Sequence, residues 1–174
     1  MKILAFGATT SSTSINRKLA NFAARLVPEA DVTELDLRDY QLPIYSTDLE
    51  ESEGIPTDAQ NFVDAIKKHD AVVVSLAEHN GSYTAAFKNL YDWASRIEKE
   101  VWSEKSMLLL ATSPGTGGGA TVMAAAKATF PRMGADLKAS FSLPSFYNNF
   151  SDKDGITDAE FARQLTEAVT KLVQ

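Results

Sequence analysis

Apolar runs of strand length alternate along this chain with segments whose apolar residues recur at helical spacing, the pattern of βα units that build a parallel sheet. The runs predict strands near residues 2–7, 31–36, 71–76, 106–111 and 136–141. Between the first two, Ile15, Leu19, Phe22, Ala23 and Leu26 fall on one helical face, and Phe62, Val63 and Ile66 do so farther along. Both stripes are expected to face the sheet. Phe87, Leu90, Tyr91, Ala94 and Ile97 keep core spacing in a helix near 83–97. A helix near 118–133 contains Pro131, which lacks an amide donor and clashes with the preceding turn, so this helix is expected to kink or end early. Thr57 with Gln60, and Thr157 with Glu160, have the spacing of a capping box and predict two helix starts. The segment from Leu37 to Pro56, with two prolines, a glycine and a cluster of acids, reads as an exposed loop beside the site.

Five strands with intervening helices fit a doubly wound α/β sheet, helices on both faces, whose ligand lies at the carboxyl ends of the strands. At 174 residues the chain is long enough for one sizeable core and short for two, so residues 1–174 are expected to form a single domain. With 44% hydrophobic and 23% charged residues, extended disorder is not expected. The formal net charge of -6 and the lack of a basic run argue against nucleic-acid binding, which needs clustered Lys and Arg. No apolar stretch approaches the roughly 20 residues that span a bilayer, so no membrane partner is expected. The chain has no cysteine, which excludes disulfides, thiolate catalysis and cysteine metal sites, and no metal site is expected. Together with an apolar start too short for a signal peptide, this points to a cytoplasmic protein.

The position of ligands in such sheets directs attention to the segments after strands one, three and four. The first runs Ala8-Thr9-Thr10-Ser11-Ser12-Thr13-Ser14-Ile15-Asn16 into a helix, and its hydroxyls and backbone amides at a helix N-terminus suit a phosphate. Read as plain structure, it is a polar turn with a serine N-cap. The second, Ala77-Glu78-His79-Asn80-Gly81-Ser82, has amides and small polar side chains that can lie along the edge of a planar heterocycle. As a loop residue facing a ligand, Asn80 is expected on replacement by Ala to lower ligand affinity or turnover while leaving stability nearly unchanged. Trp93, in the helix that follows, reads as core packing. The third, Thr112-Ser113-Pro114-Gly115-Thr116-Gly117-Gly118-Gly119, is rich in glycine, which lets backbone approach a ligand closely, although a flexible connection has the same composition. It lacks the lysine of the phosphate-binding ATPase loop.

These segments resemble the NAD(P)H-dependent FMN reductases, a family that includes quinone, chromate and azo-dye reductases. The first loop of that family has a serine, often an arginine two positions later, and a Ser-x-Asn ending; here Ser14-Ile15-Asn16 matches the ending, and Thr9 and Ser11 align with the serine and the arginine. The second motif, Pro-Glu-Tyr-Asn-x-Ser followed by Leu-Lys-Asn-x-x-Asp-Trp-x-Ser-Arg, is matched by Ala77 to Ser82 and by Phe87-Lys88-Asn89-Leu90-Tyr91-Asp92-Trp93-Ala94-Ser95-Arg96. The resemblance implies a flavodoxin-like sheet in the order 2-1-3-4-5 and non-covalent FMN. It also implies hydride transfer from NADPH or NADH through FMN to a small-molecule acceptor such as a quinone, dye, flavin or metal oxyanion. A homodimer or homotetramer is implied too. The cofactor-binding residues would be Thr9, Ser11, Ser14, Ile15, Asn16, Glu78, His79, Asn80, Gly81, Ser82, Ser113, Pro114, Gly115, Thr116, Gly117 and Gly118, with no catalytic acid or base because the flavin carries the chemistry. Ser11 in place of arginine removes a charge-assisted phosphate contact of about 1.5–3 kcal/mol. His79 stands where relatives have tyrosine, and Thr84 where they have proline.

Three other readings use the same residues. A flavodoxin-type electron carrier shares the fold and the flavin, but its first loop has a Thr-Gly-x-Thr character, and no glycine occurs between Ala8 and Asn16. A flavin-binding protein without reductase activity would fit the missing arginine. A hydrolase built on Ser82, His79 and Asp92 would need a strand-Ser-helix elbow, which this sequence does not have.

Overall fold

The computed structural model describes residues 1–174. Its sheet is formed by β1 (Lys2–Ala8), β2 (Asp31–Glu34), β3 (Ala71–Leu76), β4 (Ser106–Thr112) and β5 (Asp136–Leu143). All neighbours are parallel, in the order β2-β1-β3-β4-β5. Ile3 pairs with Ala71 and Ala71 with Ser106, so the three central strands run level and end on one edge. Ala71-Val72-Val73-Val74-Ser75-Leu76 is buried at every position, as a central strand covered on both faces must be.

Strand alternation sorts the core into two halves. Ile3, Ala5, Val73, Leu108 and Leu110 pack against α1 (Ile15–Arg25), where Leu19 and Ala23 face the sheet, and against the C-terminal helix Ala159–Leu172. Leu4, Phe6, Val72, Val74 and Leu109 pack on the other side against the helices Thr57–Lys67, Ala85–Ile97 and Ala120–Thr129. In chain order the helices are α2 (Thr47–Glu53), α3 (Thr57–Lys67), α4 (Ala85–Ile97), α5 (Ala120–Thr129), the single turn α6 (Phe146–Asn149) and α7 (Ala159–Leu172); a small antiparallel pair, β6 (Phe150–Ser151) and β7 (Gly155–Ile156), precedes α7.

Four expectations are corrected. The Leu37–Pro56 segment is no plain loop, for it contains a 3₁₀ turn, Leu37–Asp39, and α2. The cap of α3 is Pro56 with Thr57 inside the helix, and that of α7 is Asp158, whose carboxylate accepts from the Glu160 and Phe161 amides. Each start thus lies one residue away from the predicted cap: the carboxylate of Asp158 outcompetes the neighbouring hydroxyl, and Pro56 brings a fixed φ and no donor. The fourth predicted helix begins at Ala120 because Gly118 and Gly119 are left-handed, with φ of 58° and 78°. It passes at Thr129 into a 3₁₀ turn around Pro131, the early end that the proline predicts.

Candidate active site

The helices that follow β1 and β3, α1 and α4, leave to opposite faces of the sheet, opening a crevice at its carboxyl edge where doubly wound sheets bind ligands. The loops after β1, β3 and β4 meet there around a cleft of about 240 Å³. Buried polar side chains pin them together. Asn16, 3% exposed, donates through Nδ2 to the Thr112 carbonyl at 3.1 Å, while its Oδ1 accepts from the Thr112 amide at 3.1 Å and the Ser75 hydroxyl at 2.7 Å. One residue of α1 is thereby tied to the ends of both β3 and β4. Thr84, equally buried, donates to the Ala8 carbonyl at 2.8 Å and caps α4 by accepting from the Phe87 amide at 3.2 Å. Thr84 thus ties the end of β1 to the start of α4. Glu78 accepts from the Val122 amide at 2.8 Å, placing its carboxylate at the N-terminus of α5, where the helix dipole favours it.

The first loop is shaped by a close approach. A Cβ on Gly7 would stand 2.4 Å from the Arg17 amide nitrogen and 2.8 Å from its Cα, so the first turn of α1 rests directly on the end of β1. Ser14 caps that turn, its Oγ accepting from the Arg17 amide at 3.0 Å, and the Ser11 amide donates to Thr9 Oγ1 at 3.2 Å. The amides of Ser12, Thr13, Ser14, Ile15 and Asn16 find no acceptor within the protein. Unpaired amides at a helix N-terminus, beside the cleft-lining hydroxyls of Thr9, Ser11 and Thr13, make a site for an anion. No lysine or arginine lines the cleft.

A family model described as NADPH-dependent FMN reductase matches residues 1–147. The chain belongs to that family. An NAD(P)H:quinone oxidoreductase of Solanum tuberosum is 30% identical over 170 residues, which cover 92% of this chain and 84% of the relative. An NADPH:quinone oxidoreductase of Arabidopsis thaliana is 32% identical over 111 residues, or 64% of this chain; the match spans about half of that relative, 55% of its length. Among solved structures, a flavoenzyme NAD(P)H:(acceptor) oxidoreductase from Paracoccus denitrificans aligns with a TM-score of 0.77 at 26% identity, covering 99% of this chain and 94% of that one.

Of the residues that the FMN reductase resemblance singles out, Thr9, Ser11, Ser14, Ile15, Asn16, Glu78, His79, Ser113 and Pro114 line the cleft. Asn16 does so with a side chain already committed inward, and Ser14 with one committed to capping. Asn80, Gly81 and Ser82 lie outside it. His79 and Ser82 exchange backbone hydrogen bonds across Asn80-Gly81, both at positive φ (52° and 73°), which makes this a tight hairpin of the type I′ kind. Gly115, Thr116, Gly117 and Gly118 also fall outside. The reason at Gly118 is internal packing, since a Cβ there would stand 2.4 Å from Ser142 Oγ, which donates to the Gly118 carbonyl at 2.8 Å. No triad forms: Asp92 is held by Lys88 at 2.7 Å, on the exposed side of α4. Sequence reasoning missed Gly7, Thr84 as a pin, and Tyr147, a 71% exposed ring at the cleft. A glycine ending β1, just before the hydroxyl run, was the available signal for the first; Tyr147 arrives through α6, whose short span carries no periodicity.

The second motif is divided between two tasks. Its loop borders the cleft, while its helix holds the segment after β2. Asn89 donates to the Pro43 carbonyl at 2.9 Å and accepts from the Tyr45 amide at 2.9 Å; four residues on, Trp93 donates to the same carbonyl at 2.8 Å. Arg96 reaches Glu50 at 2.9 Å. Trp93 is fully buried, as expected of a core residue.

Proposed function

We propose that this FMN reductase family member holds FMN by its phosphate on the Thr9–Asn16 loop and carries out NAD(P)H-dependent reduction of a quinone or similar small acceptor. The observation that carries this reading is the run of unpaired amides from Ser12 to Asn16 at the N-terminus of α1, in a cleft at the sheet's switch point. Free amides at a helix N-terminus are donors that a phosphate accepts from, and the Thr9, Ser11 and Thr13 hydroxyls are further donors beside them. Ala77 to His79 on one side and Ser113 to Pro114 on the other border the space beyond the phosphate, where a flat ring would lie against backbone. When bound, the flavin supplies the redox chemistry. The chain's own residues bind and orient it. Asn16 and Thr84 keep the three loops in register, Glu78 anchors the second loop to α5, and Pro114 and Tyr147 add apolar surface to the cleft lining. Membership of the FMN reductase family supports a homodimer or homotetramer in which a neighbouring subunit helps to cover the flavin. No observation favours the electron-carrier reading.

Calorimetric titration with FMN and riboflavin, followed by NADPH and NADH oxidation assays with a soluble quinone, tests the proposal. FMN should bind at least about tenfold more tightly than riboflavin, since each charge-assisted bond to the phosphate is worth about 1.5–3 kcal/mol. Without oxygen, the FMN-loaded protein should oxidise about one equivalent of reduced nicotinamide per flavin when no acceptor is present, and many equivalents once the quinone is added. Equal affinities would remove the first loop from the site; tight FMN binding without turnover would leave a flavin-binding protein.

A further inference from the structure

The Thr9–Asn16 loop contains no cation. The structure nevertheless brings one to it from below. Arg17, on the first turn of α1, donates from Nη2 to the Ser12 carbonyl at 2.7 Å and pairs through Nη1 with Asp36, which lies beyond the end of β2. The Arg17 side chain keeps 28% of its surface exposed. Asp36 is shared, because Arg38 Nε reaches both of its oxygens at 3.0 Å, so a single carboxylate faces two guanidiniums. Lys18, the next cation on α1, is turned away to Asp152.

We infer that Arg17 is a positioning residue for the phosphate: it fixes the Ser12 carbonyl outward so that the amides on either side point into the cleft, and lends its charge to the anion site that Ser11 leaves neutral. This inference rests on the reading of the Thr9–Asn16 loop as the FMN phosphate site. A peptide unit whose carbonyl is held by a guanidinium cannot rotate its neighbouring amides away from the ligand, which is preorganisation of a donor set. The planar fork of arginine is what spans Ser12 and Asp36 at once, a geometry that a lysine point charge does not reproduce. Asp36 restrains Arg17 and offsets part of its charge. Removing the carboxylate should therefore strengthen phosphate binding, provided that the fold is kept, and asparagine serves as well as aspartate in capping the 3₁₀ turn that Asp36 begins.

Titrations of FMN and riboflavin against the wild type, Arg17→Met, Arg17→Lys and Asp36→Asn, each at low and high salt with thermal melting as the control for folding, test this. A wild type without preference for FMN overturns the phosphate reading before any variant is considered. Given that preference, Arg17→Met should lose about tenfold in FMN affinity, the equivalent of one charge-assisted contact, with riboflavin within about twofold and a flatter salt dependence. Arg17→Lys should recover the salt dependence and only part of the affinity. Asp36→Asn should bind FMN as well as or better than the wild type, with a steeper salt dependence. The inference is overturned if Arg17→Met binds FMN within twofold of the wild type, if riboflavin weakens in parallel, or if Asp36→Asn loses FMN as Arg17→Met does.

Discussion

At Gly7 the backbone is ordinary, yet a side chain has no room, because the first turn of α1 occupies the place of a Cβ. Gly7→Ala is therefore expected to push α1 from β1 and to cost about 1–3 kcal/mol, as overpacking of a close contact does. The displaced amides should weaken FMN more than riboflavin, which titration of both ligands against the variant checks. Asn80 poses the opposite case. Its place outside the cleft and its φ of 52° make it a turn residue, so the expectation that alanine leaves stability nearly unchanged there no longer holds. Asn80→Ala should lose about 1–2 kcal/mol to left-handed strain that asparagine tolerates, whereas Asn80→Gly should be close to neutral. Urea unfolding of the two variants decides this, and equal losses in both would assign the role to the asparagine side chain.

Elements were legible where periodicity alone builds them. The five strands, the stripes of α1 and α3, and the break at Pro131 all follow from local pattern and local sterics. What local pattern does not carry is which partner a polar group finds. Asn89, Trp93 and Arg96 lie along one side of α4, and only the folded chain shows that they hold Pro43, Tyr45 and Glu50, turning a presumed exposed loop into a strap with its own helix. Asp36 likewise read as the last residue of a strand, but it caps a 3₁₀ turn and links that turn to α1. Hydrogen bonding from Arg38, with the Arg17 charge adding to it against a smaller cost of burial, lowers its carboxyl from the ordinary 3.8 to about 2. A carboxyl with a depressed folded pKa stabilises fully above its unfolded value and loses that contribution as the pH falls through the folded one. The stability difference between wild type and Asp36→Asn should accordingly be constant above about pH 4 and shrink between about pH 4 and 2. Chemical denaturation across that range measures it; a difference that persists at pH 2 would mean that Asp36 acts by shape rather than by charge.

At the scale of the whole molecule, the cleft is made by joining parts distant in sequence, and Asn16 is the clearest joint. The Ser-x-Asn ending marked it as a ligand residue, because sequence shows a polar side chain at a phosphate loop and not the Ser75 hydroxyl and Thr112 peptide groups waiting for it across the sheet. Ser75 and Thr112 are almost wholly buried, so Asn16→Ala would strand their polar groups away from water. With about 1–3 kcal/mol for each unsatisfied group, a loss of roughly 2–4 kcal/mol is expected after local relaxation. The ligand separates two roles that this loss alone does not. A ligand that binds only the folded state stabilises it by RT ln(1 + [L]/Kd), about 2.7 kcal/mol at a hundredfold excess over Kd. If Asn16 serves the fold alone, FMN adds the same increment to the variant as to the wild type. If it holds the three loops at the spacing that FMN requires, affinity falls as well, and a tenfold loss cuts the increment at the same FMN concentration to about 1.4 kcal/mol. The second outcome is expected, because the atoms that Asn16 joins belong to the elements that carry the cleft walls. Urea unfolding of both proteins with and without FMN reads the two increments directly, and equal increments would confine Asn16 to the fold.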